Sequence, residues 1–217
     1  MAQKPAPTWA SYRDSIGDRS SLFSAITDQW PVERALYPGC YLDLSPSTAI
    51  HDVTYVDNDR RAATYFATPG LPESEAARAR GDQTRGEGAS AIEAPRITFH
   101  PADYTSPLPV PPHSTELLIS LYAGPVWDNC RQYLAPRGLL LANTSHGDGS
   151  IAALEPDLEL VAAVHHSGDR YRLRLTDLQS YLIPKSGAAP DVDTIRRNGR
   201  GIPYTRAAFA YIFRATS

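Results

Sequence analysis

The sequence predicts an α/β protein: a mostly parallel, doubly wound sheet with an antiparallel last strand and N-terminal helices. Three observations predict it. Short apolar or β-branched runs recur from "YLDL" at residue 41 onward, separated by segments of helical spacing. Several of these runs end in an acid or a turn residue, at Asp43, Asp57, Asp103 and Asn143. The final "AFAYIFRAT" alternates Phe209, Tyr211 and Phe213 with smaller or polar residues, as a closing strand does. At 217 residues the chain is long enough for one domain with a full core, read as residues 1–217.

The elements follow in order. Residues 1–36 read as a helical lid: Trp9, Tyr12 and Ile16 share one face, then Leu22, Phe23, Ile26 and Trp30 repeat it, with Ser20 or Ser21 as N-cap and Pro31 as terminator. The core is read as residues 37–217. "YLDL" is taken as the first strand and "VTYV" as the second. A helix after Asp57 turns Ala62, Tyr65 and Phe66 inward. Residues 68–95 are polar, with a helix near Glu73–Arg80 and then a mobile loop. "RITFH", "ELLISLY" and "GLLLANT" are the third, fourth and fifth strands, with a helix from Val126 to Leu134 stopped by Pro136. Asp148 is a candidate cap for a short helix after "SHGDG". "LELVAAV" and "YRLRL" are strands joined by "SGDR". Thr176 and Asp191 can cap two later helices, the second ending near Gly199.

Composition excludes several function classes. Charged residues make up 21% and the hydrophobic set 42%, ordinary for a globular chain. The net charge is −3, which gives no electrostatic footprint for nucleic acid. No apolar run has the length of a membrane span, and "MAQKPAPTWASYRD" lacks the apolar segment of a secretory signal, so the expectation is a cytoplasmic protein. Cys40 and Cys130 form no metal or redox motif and read as buried free thiols. The chain has 19 prolines, many at element boundaries; the "SPLPVPP" cluster reads as a stiff surface loop, with a proline-rich docking ligand as the alternative.

In a parallel sheet, ligands bind outside the carboxyl ends of the strands. The stretches to watch are therefore Asp43–Ser47, Asp57–Asp59, Asp103–Tyr104, Tyr122–Gly124 and Asn143–Asp148. A strand-end carboxylate can accept both vicinal hydroxyls of a ribose, which suits Asp57. Asp57 also suits an N-cap, and Asn58 or Asp59 caps equally well. Asp103 can accept from an amino group or close an Asx-turn. His146 is either a general base for a hydroxyl or a surface turn residue. Tyr122 either orients a substrate or is an ordinary core-edge tyrosine. His165-His166 has no third partner at ligand spacing, and no metal is expected.

The order of "YLDLSPS", "VTYVDND", "ITFHPADY", "ELLISLYAG", "YLAPRGLLLAN" and "AFAYIFRAT" resembles the class I S-adenosylmethionine-dependent methyltransferases, over roughly residues 36–214. The resemblance implies a Rossmann-like sheet, S-adenosylmethionine as cofactor and a small-molecule substrate. It implies cofactor contacts from Asp43, Ser45, Ser47, Asp57, Asp59, Asp103 and Tyr104, with Asp57 on the ribose and Asp103 on the adenine amino group. Tyr122 and His146 are then the catalytic candidates. The family's first turn is Gly-x-Gly-like, so that the backbone can approach the cofactor closely. Here that place is read as Ser45-Pro46-Ser47, and only eight residues, Ser45 to Asp52, are counted between the first two runs. Extended, they reach about 26 Å, against about 17 Å for a five-residue strand. The chain is thus expected to return without a proper crossover helix. Three readings remain open: a methyltransferase; a methyltransferase-like binding or scaffold protein with a degenerate cofactor site; and, ranked last because it needs its glycines and crossover helix more strictly, a nicotinamide-dependent oxidoreductase.

Overall fold

The computed structural model describes residues 7–83, 94–168 and 170–216. One eight-stranded sheet runs through the chain in the order β3-β2-β1-β4-β5-β8-β6-β7. Five parallel strands form one side: β1 (Arg34–Pro38), β2 (Asp52–Val56), β3 (Arg96–His100), β4 (Thr115–Ser120) and β5 (Leu134–Ala142). Beyond β5, the closing strand β8 (Ala210–Ala215) is antiparallel and lies between β5 and β6 (Leu158–Ser167). β6 also pairs antiparallel with the edge strand β7 (Arg170–Arg174). This is the predicted fold class, a mostly parallel Rossmann-like sheet with an antiparallel last strand.

Strand alternation divides the core between the two faces. Ala35, Tyr37, Val53, Tyr55, Leu117, Ile119, Leu139 and Leu141 belong to one buried cluster. Their neighbours Leu36, Val56, Leu118 and Leu140 belong to the other. The first face is covered by helices α1 (Trp9–Ile16) and α2 (Ser20–Gln29), and by α3 (Arg60–Phe66) and α4 (Leu71–Gln83). The second receives α5 (Val126–Cys130), α6 (Asp148–Ala152) and α7 (Val192–Asn198). Leu22, Phe23 and Ile26 of α2 are fully buried among the strand residues, so α2 is part of the core rather than a detached cover. Among the described residues no helix is long and apolar enough to cross a membrane.

The beginning of the sheet corrects the sequence reading. The first strand is Arg34–Pro38, not "YLDL", and the expected boundary at residue 36 falls inside it. Leu42 and Leu44 are fully buried, which explains the apolar signal, but they lie in a loop that leads into a 3-10 turn at Ser45–Thr48. The connection between β1 and β2 is therefore the thirteen residues 39–51, not eight, although it still holds no α-helix. The turn that leaves the first strand is Gly39-Cys40-Tyr41, not Ser45-Pro46-Ser47.

Smaller differences have local causes. The predicted helix from Val126 to Leu134 ends at Cys130, passes through a 3-10 turn and becomes β5 at Leu134, so Pro136 lies in a strand. α4 is longer than the expected Glu73–Arg80, and the loop expected after it falls largely on residues 84–93, outside those described. Asp18, not Ser20 or Ser21, accepts from the first turn of α2 through Ser20 N. Asp177 rather than Thr176 precedes the 3-10 turn Leu178–Tyr181. Asp191 caps α7, which ends at Gly199, as expected.

Candidate functional site

In the strand order 3-2-1-4-5, the connections leaving β1 and β4 run in opposite directions along the sheet, which opens a crevice at their carboxyl ends. A cleft of about 450 Å³ lies there, lined by Gly39, Asp57, Asn58, Asp103, Tyr104, Thr105, Tyr122, Ala123, Gly124 and His146. The ends of all five parallel strands contribute to it. Five of the nine candidate residues, Asp57, Asp103, Tyr104, Tyr122 and His146, meet at this cleft.

Asp57 closes β2 and is tied to two backbone donors. Tyr41 N–H donates to Oδ2 at 2.7 Å and Asp59 N–H donates to Oδ1 at 2.8 Å. A carboxylate offers about four acceptor positions, so each oxygen retains capacity for a hydroxyl. Asp103 forms an Asx-turn: its Oδ1 accepts from Thr105 N at 2.9 Å and Thr105 Oγ1 at 2.8 Å. Those bonds hold its carboxyl below the usual range. Among the described residues Oδ2 takes no such bond, and it is the oxygen left for a ligand. Tyr104 donates its hydroxyl to Gly124 O at 3.2 Å, linking the ends of β3 and β4, and burial raises its phenol.

Tyr122 stands on the far wall with positive φ (+59°) and half of its surface exposed (49%). Its ring is edge-on to Phe209 and lies against the guanidinium of Arg19, 4.9 Å from ring centroid to Cζ. His146 is exposed at the rim, and its Nδ1 is 3.0 Å from Ser145 Oγ, which donates to Asn143 Oδ1 at 2.7 Å.

The other candidates lie elsewhere. Asp59 is the N-cap of α3; it accepts from Arg61 N and pairs with the Arg61 guanidinium, whose bonds lower its carboxyl to about 2. Asp43, Ser45 and Ser47 are buried beneath the first turn, on the α2 side. Asp43 accepts from Arg19 Nη1 at 2.9 Å, Tyr37 Oη at 3.2 Å and Ser45 N at 3.1 Å. Ser47 Oγ is 2.7 Å from Tyr55 Oη. None of the three lines the cleft, because the chain turns inward after Tyr41.

Two residues of the region, Tyr41 and Arg19, carried no local signal in the sequence, and a third, Asp148, has a different role from the one expected. Tyr41 adopts positive φ (+47°), its N–H is held by Asp57, and its ring contacts Tyr12 edge-on and Arg61. Arg19 is 5% exposed although it sits in a polar link between two helices. Asp148 was expected to cap the helix it begins. Instead its Oδ2 crosses to α5, accepting from Val126 N at 2.8 Å, Trp127 N at 3.2 Å and Ser120 Oγ at 2.6 Å. It thereby ties together both ends of the segment that carries Tyr122, Ala123 and Gly124. Burial pushes its carboxyl up, against the pull of those three bonds. Among the described residues no group of three or more His, Cys, Asp or Glu side chains is placed to hold a metal ion.

No family model matches the chain, and no curated protein matches it. Solved structures do. The YcgJ protein from Bacillus subtilis is 18% identical, with 58% of this chain and 51% of that one covered and a TM-score of 0.34. This chain thus spans about half the length of that structure. A putative O-methyltransferase from Klebsiella pneumoniae is 14% identical over 72% and 77% of the two chains, with a TM-score of 0.45. The N-methyltransferase NodS from Bradyrhizobium japonicum WM9, in complex with S-adenosyl-L-homocysteine, is 15% identical over 96% and 88%, with a TM-score of 0.42. With identities this low and TM-scores below 0.5, the fold rests on the strand order itself.

Proposed function

We propose that the cleft holds S-adenosylmethionine and that the protein transfers its methyl group to a small-molecule acceptor. The observation that carries this reading is the convergence of Asp57, Asp103, Tyr104 and Tyr122 on one space at the switch point of the sheet. The donors and acceptors fit the adenosyl part. Asp57 keeps acceptor positions for the ribose hydroxyls, and Asp103 Oδ2 is free for the adenine amino group. The half-buried ring of Tyr104 and the exposed ring of Tyr122 supply apolar surface for a planar base.

When bound, the cofactor supplies an electrophilic methyl group on a sulfonium. The chain's task is mainly positioning, because an in-line approach is the chief requirement of such a transfer. Tyr122 orients the acceptor from the β4 side. The exposed imidazole of His146 takes the proton that a hydroxyl acceptor gives up.

Calorimetric or thermal-shift titration with S-adenosylmethionine and S-adenosylhomocysteine tests the reading. A saturable response that Asp57→Ala abolishes is the expected result. No binding up to millimolar cofactor would overturn it.

A second reading, a binding or scaffold protein with a degenerate cofactor site, is favoured by Tyr41. The first turn keeps one glycine, Gly39, but has a tyrosine two residues later whose N–H is already spent on Asp57.

A further inference from the structure

Arg19 has half of a binding site and lacks the other half. Its guanidinium is always charged, and the residue is only 5% exposed. Asp43 engages it end-on, through Nη1 alone. Nε is buried without a partner among the described residues, and none of their acceptors bonds Nη2. The edge formed by Nε and Nη2 is the fork that grips a carboxylate with two parallel bonds. A buried donor on a cation is rarely left unpaired, because its desolvation then goes uncompensated.

The guanidinium sits behind one of the side chains that line the cleft. Tyr122, which lines the cleft, lies with its ring against the guanidinium. The ring is half exposed and packs otherwise only edge-on against Phe209 among the described residues, so it is the side chain that stands between the guanidinium and the cleft. Among the described residues the cleft itself is lined by two carboxylates and no guanidinium or ammonium group. Arg19 is therefore a cation that touches a side chain of the cleft wall and keeps unused donors for an anionic group on a ligand seated there.

We propose that Arg19 is a carboxylate receptor at the inner end of the cleft, with Tyr122 as the side chain that covers it. The proposal deepens the cofactor reading and rests on the same cleft. The carboxylate comes either from the amino-acid tail of the cofactor or from an acidic acceptor.

Calorimetry on the full chain separates these sources. S-adenosylhomocysteine is compared with 5′-methylthioadenosine, which has the nucleoside but no amino-acid tail, and benzoate is compared with benzamide. Arg19→Lys keeps the charge beside Asp43 and loses the fork. If the tail is the source, Arg19→Lys weakens S-adenosylhomocysteine by about tenfold or more and leaves 5′-methylthioadenosine unchanged. If an acidic acceptor is the source, both nucleosides bind unchanged and the preference for benzoate over benzamide is lost. Arg19→Lys binding every probe as the wild type does would overturn the proposal, as would a wild type that binds neither carboxylate better than its neutral counterpart. Failure of the cofactor reading looks different: neither nucleoside binds the wild type, while benzoate remains distinguished from benzamide. Should Arg19→Lys not fold, Tyr122→Ala replaces it. Uncovering the guanidinium then raises the ratio of benzoate to benzamide affinity several-fold, and an unchanged ratio counts against the proposal.

Discussion

The backbone N–H of Tyr41 donates to Asp57 Oδ2 at 2.7 Å, so the turn after β1 is fastened to the acid that ends β2. The bond joins the two residues on which the reading of the cleft depends. It also explains how a tyrosine is held at φ +47°, where a residue with a Cβ pays about 1–2 kcal/mol.

Substitutions at position 41 should separate that strain from the packing of the ring. Tyr41→Gly relieves the strain and forfeits an edge-on pair with Tyr12, worth about 0.5–1.5 kcal/mol, and a contact with Arg61, worth about 0.5–1 kcal/mol at an exposed site. These effects nearly cancel, so Tyr41→Gly changes stability by less than about 1 kcal/mol. Tyr41→Ala loses the ring and keeps the strain, and is less stable than Tyr41→Gly by about 1–2 kcal/mol. Urea midpoints of the two variants check this; equal midpoints would show that the turn carries no strain.

Gly39 tests the closeness of β1 and β4. Its φ is +68°, and a Cβ there would lie 2.5 Å from the Ala123 Cβ. Gly39→Ala should cost about 2–4 kcal/mol, from left-handed strain and overpacking together. Ala123→Gly removes the clash but not the strain. In a double-mutant cycle it should therefore recover roughly half of the loss, a coupling of about 1–2 kcal/mol. Denaturant unfolding of the four proteins gives the value, and additive losses would mean that the two loops do not touch.

How far this region was legible in the sequence follows from how local each signal is. β2, β4, β5 and β6 announce themselves by apolar or β-branched runs and β7 and β8 by alternation, and the pleat then assigns Leu117 and Leu118 to opposite faces. β1 does not. "RALYP" opens on an exposed arginine and ends in proline, while the following "YLDL" supplies two leucines that are buried as loop residues. A burial pattern cannot tell a buried loop from a strand, and that displaced the expected first turn by several residues. The misplaced turn hid Gly39 and Tyr41 and drew attention to Ser45 and Ser47, which face the core. Asp57 and Asp103 were legible because the first follows directly on β2 and the second lies three residues past the end of β3. Arg19 was not, since its partners Asp43 and Tyr122 lie 24 and 103 residues away.

The thiols offer a check on the two halves of the core. Cys40 and Cys130 are both free and buried, Cys40 in the α2-side cluster and Cys130 in the α5-side cluster. Burial pushes the Cys130 thiol up to about 12 and raises that of Cys40 as well. The thiolate is the reactive form, so neither should react with an aromatic disulfide reagent in native buffer near neutral pH. Both should react stoichiometrically once urea unfolds the chain. Rapid labelling of either without denaturant would show that its cluster opens.

Asp148 links stability to pH in a direction opposite to most acids. Its Oδ2 accepts three hydrogen bonds, which stabilise the ionised form, but its Oδ1 is buried without a partner among the described residues, and desolvation is the larger effect. The folded state therefore holds the proton more tightly than the unfolded chain, where an aspartate titrates near about 3.9. Between that value and the raised one, unfolding releases a proton, so the contribution of this residue to stability falls as pH rises and then levels off. Asp148→Asn keeps an acceptor for Ser120, Val126 and Trp127 and removes the ionisation. Relative to the wild type it should gain stability as pH rises above about 4 and then hold that gain once the pH has passed the raised folded-state value. Asp148→Ala leaves the Val126 and Trp127 backbone N–H groups unpaired, while Ser120 Oγ still reaches Ala123 O; at about 1–3 kcal/mol for each N–H it should lose at least about 2 kcal/mol at every pH. Urea midpoints across that range, compared as differences from the wild type, test both. A pH-independent difference for Asp148→Asn would mean that the carboxyl titrates alike in the folded and unfolded chain.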